Sequence, residues 1–293
     1  MKSVFKNRFG ELRSGWALAT AIALIISGMM IVSALIPDGS EDDLFFKTVA
    51  TLAYGLFVIG GSLLLFKAIY MRPFRQIGLI KGGWLSGTIY GLALGATSIT
   101  VVFAGLLLSG QATISGADIR RLLSINIIVE FLSVCVFAFS EELIARGFIM
   151  TALKTTRNKA VIFLMSSVVF SLAHLMNPGI TILSVTNTFL VGILFAYMFV
   201  KSGKLWMPAG FHIAWNFVQG DILGMTVSGN KQTSVFQTTL GSNEFLTGGT
   251  YGPEGGAFVT FSLILSLLYI HFVFKTPKHP EWTLDSDLPL IRW

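Results

Sequence analysis

Three charged residues, Glu141, Glu142 and Arg146, lie close together inside a long apolar stretch of the sequence. A charge at the centre of a bilayer costs about 3 kcal/mol on insertion scales, so it persists mainly where it faces a partner or a water-filled cavity. On a helix, Glu142 and Arg146 are four residues apart with the acid first, which favours an ion pair. Glu141 points about 100° away. We therefore predict a structural Glu142–Arg146 pair and a separate carboxylate, Glu141, that faces the interior.

Two chemical interpretations of this cluster stay open at this point. A buried carboxylate without a cation of its own suits a general base that works near neutral pH, and Glu141 would then be catalytic. Alternatively, all three charges form one ion-pair cluster that locks two helices together. The second interpretation needs no chemistry at all.

Two of the four histidines, His174 and His212, fall in other apolar stretches. A single histidine in an apolar helix is more often a hydrogen-bonded packing residue than a catalyst. Asn216 follows His212 by one helical turn, so both side chains project from one face as a paired donor site, or they join neighbouring helices. At ~1.5 Å per residue, Glu141, His174, His212 and Asn216 lie at overlapping depths. His174 reaches that depth only if the turn at 177–179 is tucked into the protein.

The composition is that of a membrane protein. Hydrophobic residues make up 53% of the chain and charged residues 12%, whereas soluble domains carry roughly a quarter charged residues. Apolar runs of about 20 residues predict an all-α polytopic transmembrane helix bundle with about eight spans. We predict one integral membrane domain over 1–293, with a motif-bearing core at about 122–226. The spans are predicted at 15–36, 48–70, 83–109, 122–153, 160–176, 180–200, 205–226 and 256–274.

The basic residues are distributed asymmetrically over the connections between these spans. With the N-terminus inside, 16 Lys and Arg fall on the inner side and four on the outer side. This bias predicts a multi-pass plasma-membrane protein with both termini in the cytoplasm. No basic-aromatic surface segment points to nucleic acid, so the bilayer is the expected partner. The polar connection 227–255 is either a lid or a flexible outer connection, and we favour the latter.

The motifs together resemble a known family. Glu141–Glu142 with Arg146, Phe170 with His174, and His212 with Asn216 occur in the order found in the CPBP intramembrane proteases, which comprise CAAX prenyl endopeptidases and bacteriocin-processing or immunity (Abi-like) proteins. The resemblance covers about 125–220, and no motif position departs from the pattern. Each motif alone is weakly specific, whereas the ordered set is specific.

The resemblance implies an intramembrane endopeptidase that hydrolyses a peptide bond in a membrane-associated substrate, either prenylated or of the leader type. Glu141 and His174 would activate a water, and His212 with Asn216 would donate to the oxyanion. Glu142 and Arg146 would hold the catalytic helix in place.

The resemblance leaves the role of a metal open. The family name implies a metalloendopeptidase, and one carboxylate with two imidazoles, from Glu141, His174 and His212, would make an open three-ligand zinc site. The same residues also permit hydrolysis without a metal, and the sequence contains no His-Glu-x-x-His helix. We favour no tightly bound cofactor, with zinc as the alternative.

Two other functions fit the same residues. A non-catalytic immunity or peptide-binding membrane protein would keep the cavity without turnover. A transporter would also place Glu, Arg and His inside a bundle, but no pair of helices broken by Gly or Pro indicates inverted repeats.

Overall fold

The computed structural model describes residues 4–6, 12–35 and 43–275. Helices dominate this part of the chain, and the longer ones follow the predicted apolar runs. They are α1 (Ser14–Leu35), α2 (Leu44–Tyr70), α3 (Trp84–Leu108), α4 (Ile125–Glu142), α5 (Met150–Leu153), α6 (Lys159–Ala173), α7 (Ile182–Ser202), α8 (Trp206–Phe217), α9 (Glu244–Thr247) and α10 (Ala257–Phe272).

The predicted all-α membrane-type bundle is confirmed. Four helices are long and apolar enough to cross a membrane, and α6 and α10 are shorter apolar helices of the same kind. All eight predicted spans coincide with helical segments within the described residues. Eight membrane crossings remain a prediction, because two of the segments are short and two contain irregular turns. The single-domain division of the chain and its motif-bearing core likewise stay predictions.

Two of the predicted spans contain π-helical turns. The span at 122–153 is α4, then a π-helix at Leu143–Ile149, then α5. The span at 205–226 is α8 followed by a π-helix at Val218–Ile222. Such turns recur at functional sites. Here they follow directly on Glu142 and on the turn that carries Asn216.

The connections between helices gather at two opposite ends of the bundle. At one end, the backbone N–H of Leu205 donates to the Gly78 carbonyl at 3.2 Å. The Thr151 hydroxyl donates to the Gln76 carbonyl at 3.2 Å, so helix α5 also lies at this end. We call this the basic end; it is formed by residues 71–83, 154–158 and 203–205.

The other end is closed by a small sheet and by two long connections. The side-chain amide of Asn177 donates to the Ser228 carbonyl at 2.9 Å. Arg121 donates to the Thr233 carbonyl at 3.1 Å. We call this the sheet end; it is formed by residues 109–124, 174–181 and 223–256.

The sheet was not predicted from the sequence. Strand β1 (Ala112–Ala117) pairs antiparallel with β2 (Phe236–Leu240), and the register shifts between Ile114 and Gly116. Alternating apolar and polar residues in five- and six-residue strands give a weak signal beside long apolar helices. The connection 227–255 is therefore not an irregular link: it contributes β2, α9 and two short 3₁₀ turns to the sheet end.

Helices α3 and α8 approach each other along a row of glycines. A Cβ on Gly91 would lie 2.1 Å from the Met207 carbonyl oxygen, and one on Gly95 would lie 2.3 Å from that of Phe211. Small residues allow such close backbone contact between membrane helices. Phe211 precedes His212, so this contact fixes the position of the α8 turn that carries the predicted donors.

We expect Gly95→Ala to destabilise the protein by about 2 kcal/mol, because the added methyl group meets backbone and the two helices must move apart. Gly87→Ala in the same helix is the control, since its nearest neighbour would be the Trp206 Cβ at an ordinary 3.4 Å. Unfolding in detergent measures both variants. Equal stability of the two variants would contradict the close packing described here.

Candidate active site

One internal cavity of about 590 Å³ brings the predicted catalytic residues together. Glu141, His174, His212 and Asn216 all line it. They come from α4, from the residue after α6, and from α8, so separate parts of the chain supply the site. The predicted convergence of these side chains on one interior space is present in the structure; their catalytic roles remain predictions.

Glu142 and Arg146 form the predicted ion pair. The Arg146 Nη1 donates to Glu142 Oε1 at 2.9 Å, and both side chains are fully buried. Nη2 donates to the Gly192 carbonyl at 3.0 Å. The guanidinium also lies over the Phe170 ring, 4.4 Å from its centroid, and 5.1 Å from that of Phe195. Arg146 thereby joins the π-helical turn to α6 and α7.

His212 contacts both glutamates, which the sequence did not predict. Its Nδ1 lies 3.2 Å from Glu142 Oε1, and its Nε2 lies 3.7 Å from Glu141 Oε2. Because Glu142 is an ion-paired carboxylate, Nδ1–H donates to it and Nε2 is directed at Glu141. The structural pair thus sets the orientation of the imidazole beside the predicted general base.

His174 directly follows the last residue of α6, as its short span implied. Its Nδ1 lies 2.8 Å from the Phe170 carbonyl oxygen. A carbonyl only accepts, so Nδ1–H donates to it and Nε2 takes no part in this contact. The following turn is held in the protein, since Asn177 donates to Ser228 and Gly179 approaches Thr250. The expected tucked turn is therefore only partly present, because Asn177 is half-buried whereas Pro178 and Gly179 are exposed.

Two polar groups in the cavity are left without hydrogen bonds. Glu141 Oε2 is buried and has no hydrogen-bond partner among the described residues. The Asn216 side chain lines the cavity and likewise makes no hydrogen bond within the described ranges. Buried polar groups normally find partners. An open acceptor and an open donor in one cavity are available to a bound water or substrate.

Three further carboxylates line the same cavity, and the sequence analysis did not single them out. They are Glu130, Asp221 and Glu254. The first two lie inside predicted apolar spans, which is the same signal that drew attention to Glu141. Arg121 pairs with Glu130 from the sheet end. Glu254 gave no such signal, because it lies in the glycine-rich connection.

Glu254 is fixed from the sheet end. Its carboxylate accepts hydrogen bonds from both the backbone N–H and the hydroxyl of Ser228. Burial raises the pKa of Glu254, and these hydrogen bonds and the proximity of His174 and His212 oppose that rise. The loop therefore places an acidic group near both imidazoles.

The donor groups do not fit a metal ion. Within the described residues, no group of three or more His, Cys, Asp and Glu side chains is arranged to hold one. Glu141, His174 and His212 share the cavity without forming the three-ligand set that a zinc site would use. His212 instead directs Nδ1 at Glu142 and Nε2 at Glu141.

A membrane-type helix bundle with a carboxylate, two imidazoles and an amide around one internal cavity has the features of an intramembrane protease. Residues 124–218, about a third of the chain, match the family model described as type II CAAX prenyl endopeptidase Rce1-like. The match includes all seven motif residues and confirms the resemblance seen in the sequence. No curated protein and no solved structure matches the chain. The family match supports a CAAX-type intramembrane protease as the general class.

We expect the two adjacent glutamates to differ in their effect on stability. Glu142→Gln leaves Arg146 as a buried charge without its carboxylate, which costs roughly 3–5 kcal/mol. Glu141→Gln is nearly isosteric and removes no hydrogen bond from Oε2, so its unfolding in detergent should match that of the wild type. Unfolding by Glu141→Gln together with wild-type stability of Glu142→Gln would reverse this assignment.

Proposed function

We propose that the protein is an intramembrane endopeptidase in which Glu141 activates a water for attack on a peptide carbonyl. The observation that carries this proposal is the buried Glu141 Oε2, which has no hydrogen-bond partner among the described residues and faces a cavity shared with His174, His212 and Asn216. A general base needs its acceptor atom open to the water it deprotonates. Glu142, one residue away, also keeps one oxygen, Oε2, without a hydrogen bond to the described residues, but its Oε1 is bound by Arg146 and His212 and the residue is not among those that line the cavity.

The reaction is ordinary amide hydrolysis. Glu141 takes one proton from the water, the hydroxide oxygen bonds to the carbonyl carbon, and the C–N bond then breaks. The proton passes to the leaving nitrogen, which departs as an amine, and the acyl product is a carboxylic acid that then loses its own proton to solvent and becomes a carboxylate. His174 is proposed to help position the attacking water through Nε2, because its Nδ1 is already bound to the Phe170 carbonyl.

His212 and Asn216 are the proposed donors to the oxyanion. They lie one helical turn apart on α8, and the Asn216 amide is uncommitted within the described residues. Donors fixed in advance stabilise the developing charge without reorganising during the reaction. Because Nδ1–H of His212 is directed at Glu142, the proposed donation to the oxyanion runs through Nε2 and requires a proton on that nitrogen.

The family match and the cavity wall support the proposed substrate class. A membrane-associated peptide, prenylated or of the leader type, fits a cavity lined on one side by apolar residues of α1, α2 and α4. We propose a plasma-membrane location with both termini in the cytoplasm, on the strength of the basic-residue asymmetry. The whole chain is proposed to act as one integral membrane domain around the core at 122–226.

We expect Glu141→Gln to abolish cleavage of a quenched fluorescent peptide library by the purified protein, because the amide cannot accept the proton from water. Glu244→Gln is the control; this residue lies on α9 outside the cavity and should cleave at the wild-type rate. Wild-type cleavage by Glu141→Gln would refute the proposal. Retention of a protective effect in cells by an inactive Glu141→Gln would instead favour an immunity or peptide-binding function.

We expect Asn216→Ala to lower kcat by about 10²–10³-fold with little change in KM, since an oxyanion donor acts mainly in the transition state. Single-turnover cleavage separates this effect from binding. Asn243→Ala, at the exposed start of α9, is the matched control. A rise in KM with unchanged kcat would assign Asn216 to substrate binding instead.

A further inference from the structure

The cavity is reached from the sheet end of the bundle. Asn230, Lys231 and Gln232 line it and are exposed, so the cavity opens to solvent where these residues lie. Lys231 is held against the start of α2, because Lys47 donates to its carbonyl at 3.4 Å. Both lysines lie at the mouth of the cavity.

The opposite end of the bundle is closed to the cavity. Within the described ranges, no residue of the three connections that form the basic end lines it. The connection 71–83 is bound to the start of α8 and to the connection before it. The Trp206 indole donates to the Ile80 carbonyl at 2.7 Å, and Lys204 donates to the Gly82 carbonyl at 2.5 Å. The mouth of the cavity therefore lies at the sheet end, and most of the basic connections lie at the opposite end.

Apolar residues of the cavity wall also lie in the same half as the mouth. Met29 and Val32 come from the last turns of α1, and Leu44 and Thr48 come from the first turns of α2. A peptide that leaves the bilayer on this side can keep apolar residues against this wall and place polar residues at the exposed mouth.

We propose that the protease takes its substrate from the sheet end, so that the scissile bond belongs to a juxtamembrane segment on the extracytoplasmic side. This inference rests on the proposed function and on the cytoplasmic placement of the basic end. The substrate class it names is an exported or membrane-anchored peptide, cleaved close to the outer boundary of its anchor. A cytoplasmic C-terminal tail, prenylated or not, would meet the closed end.

Cysteine labelling in intact cells tests the side of the mouth with the full-length chain. In a Cys135→Ala background, Lys231→Cys reports the mouth and Gly82→Cys reports the basic end, where an added side chain meets nothing within 4 Å. A membrane-impermeant maleimide should label Lys231→Cys in intact cells and Gly82→Cys only after permeabilisation. The reverse pattern would overturn the proposal. Gln232→Cys replaces Lys231→Cys if the latter lowers folded yield in detergent.

Mapping of new peptide N-termini tests the substrate itself. Membranes from cells expressing the wild type are compared with membranes from cells expressing Glu141→Gln. The Glu141-dependent termini should lie on the extracytoplasmic side of membrane anchors, and termini in cytoplasmic tails would overturn the inference. If no terminus depends on Glu141, the proposed function fails and this inference fails with it. The labelling result distinguishes that outcome from an error in the side of access.

Discussion

The buried ion pair between Glu142 and Arg146 is the interaction on which the rest of the site depends. Both side chains are fully buried, and an isolated charge at such a position would be strongly destabilising. Arg146 satisfies this constraint by binding Glu142 and the Gly192 carbonyl and by packing on two phenylalanine rings. The same contacts fix the π-helical turn against α6 and α7. The end of α4, directly before this turn, can then carry Glu141 as a second carboxylate that has no Lys or Arg bound to it.

The pair also gives the two adjacent glutamates different surroundings. Glu142 Oε1 is shared by Arg146 and His212, and this sharing sets the orientation of the imidazole. Glu141 is directed into the cavity beside His212 Nε2 and keeps an oxygen free of hydrogen bonds to the described residues. In the proposed mechanism, Glu142 serves the structure and Glu141 acts as the general base.

Much of this arrangement could be predicted from the sequence, because charges inside apolar runs are rare and constrained. The four-residue spacing of Glu142 and Arg146 predicted their pair, and the different direction of Glu141, about 100° away, followed from helical geometry. His212 in contact with both glutamates could not be predicted, since it depends on how far α8 approaches α4. Helix α8 is in turn held close to α3 by the glycine contact. Local periodicity does not encode the spacing between helices.

The structure of the sheet end could not be predicted from the sequence either. Strands β1 and β2 are separated by more than 100 residues, and short polar strands give little local signal beside apolar helices. Glu254 reaches the cavity only because the connection folds back and Ser228 holds its carboxylate. The polar connection therefore contributes to the site through long-range contacts. From composition alone, the connection 227–255 was interpreted as a flexible outer connection.

The most direct test of the account is digestion of a peptide library by the wild-type protein in oxygen-18 water, followed by mass spectrometry of the products and of the protein. Hydrolysis by a Glu141-activated water predicts that the new C-termini carry solvent oxygen and that the Glu141 carboxylate stays unlabelled. Solvent oxygen in the Glu141 carboxylate would show a covalent acyl intermediate on that residue. Such label, or the absence of any labelled C-termini, would contradict the account.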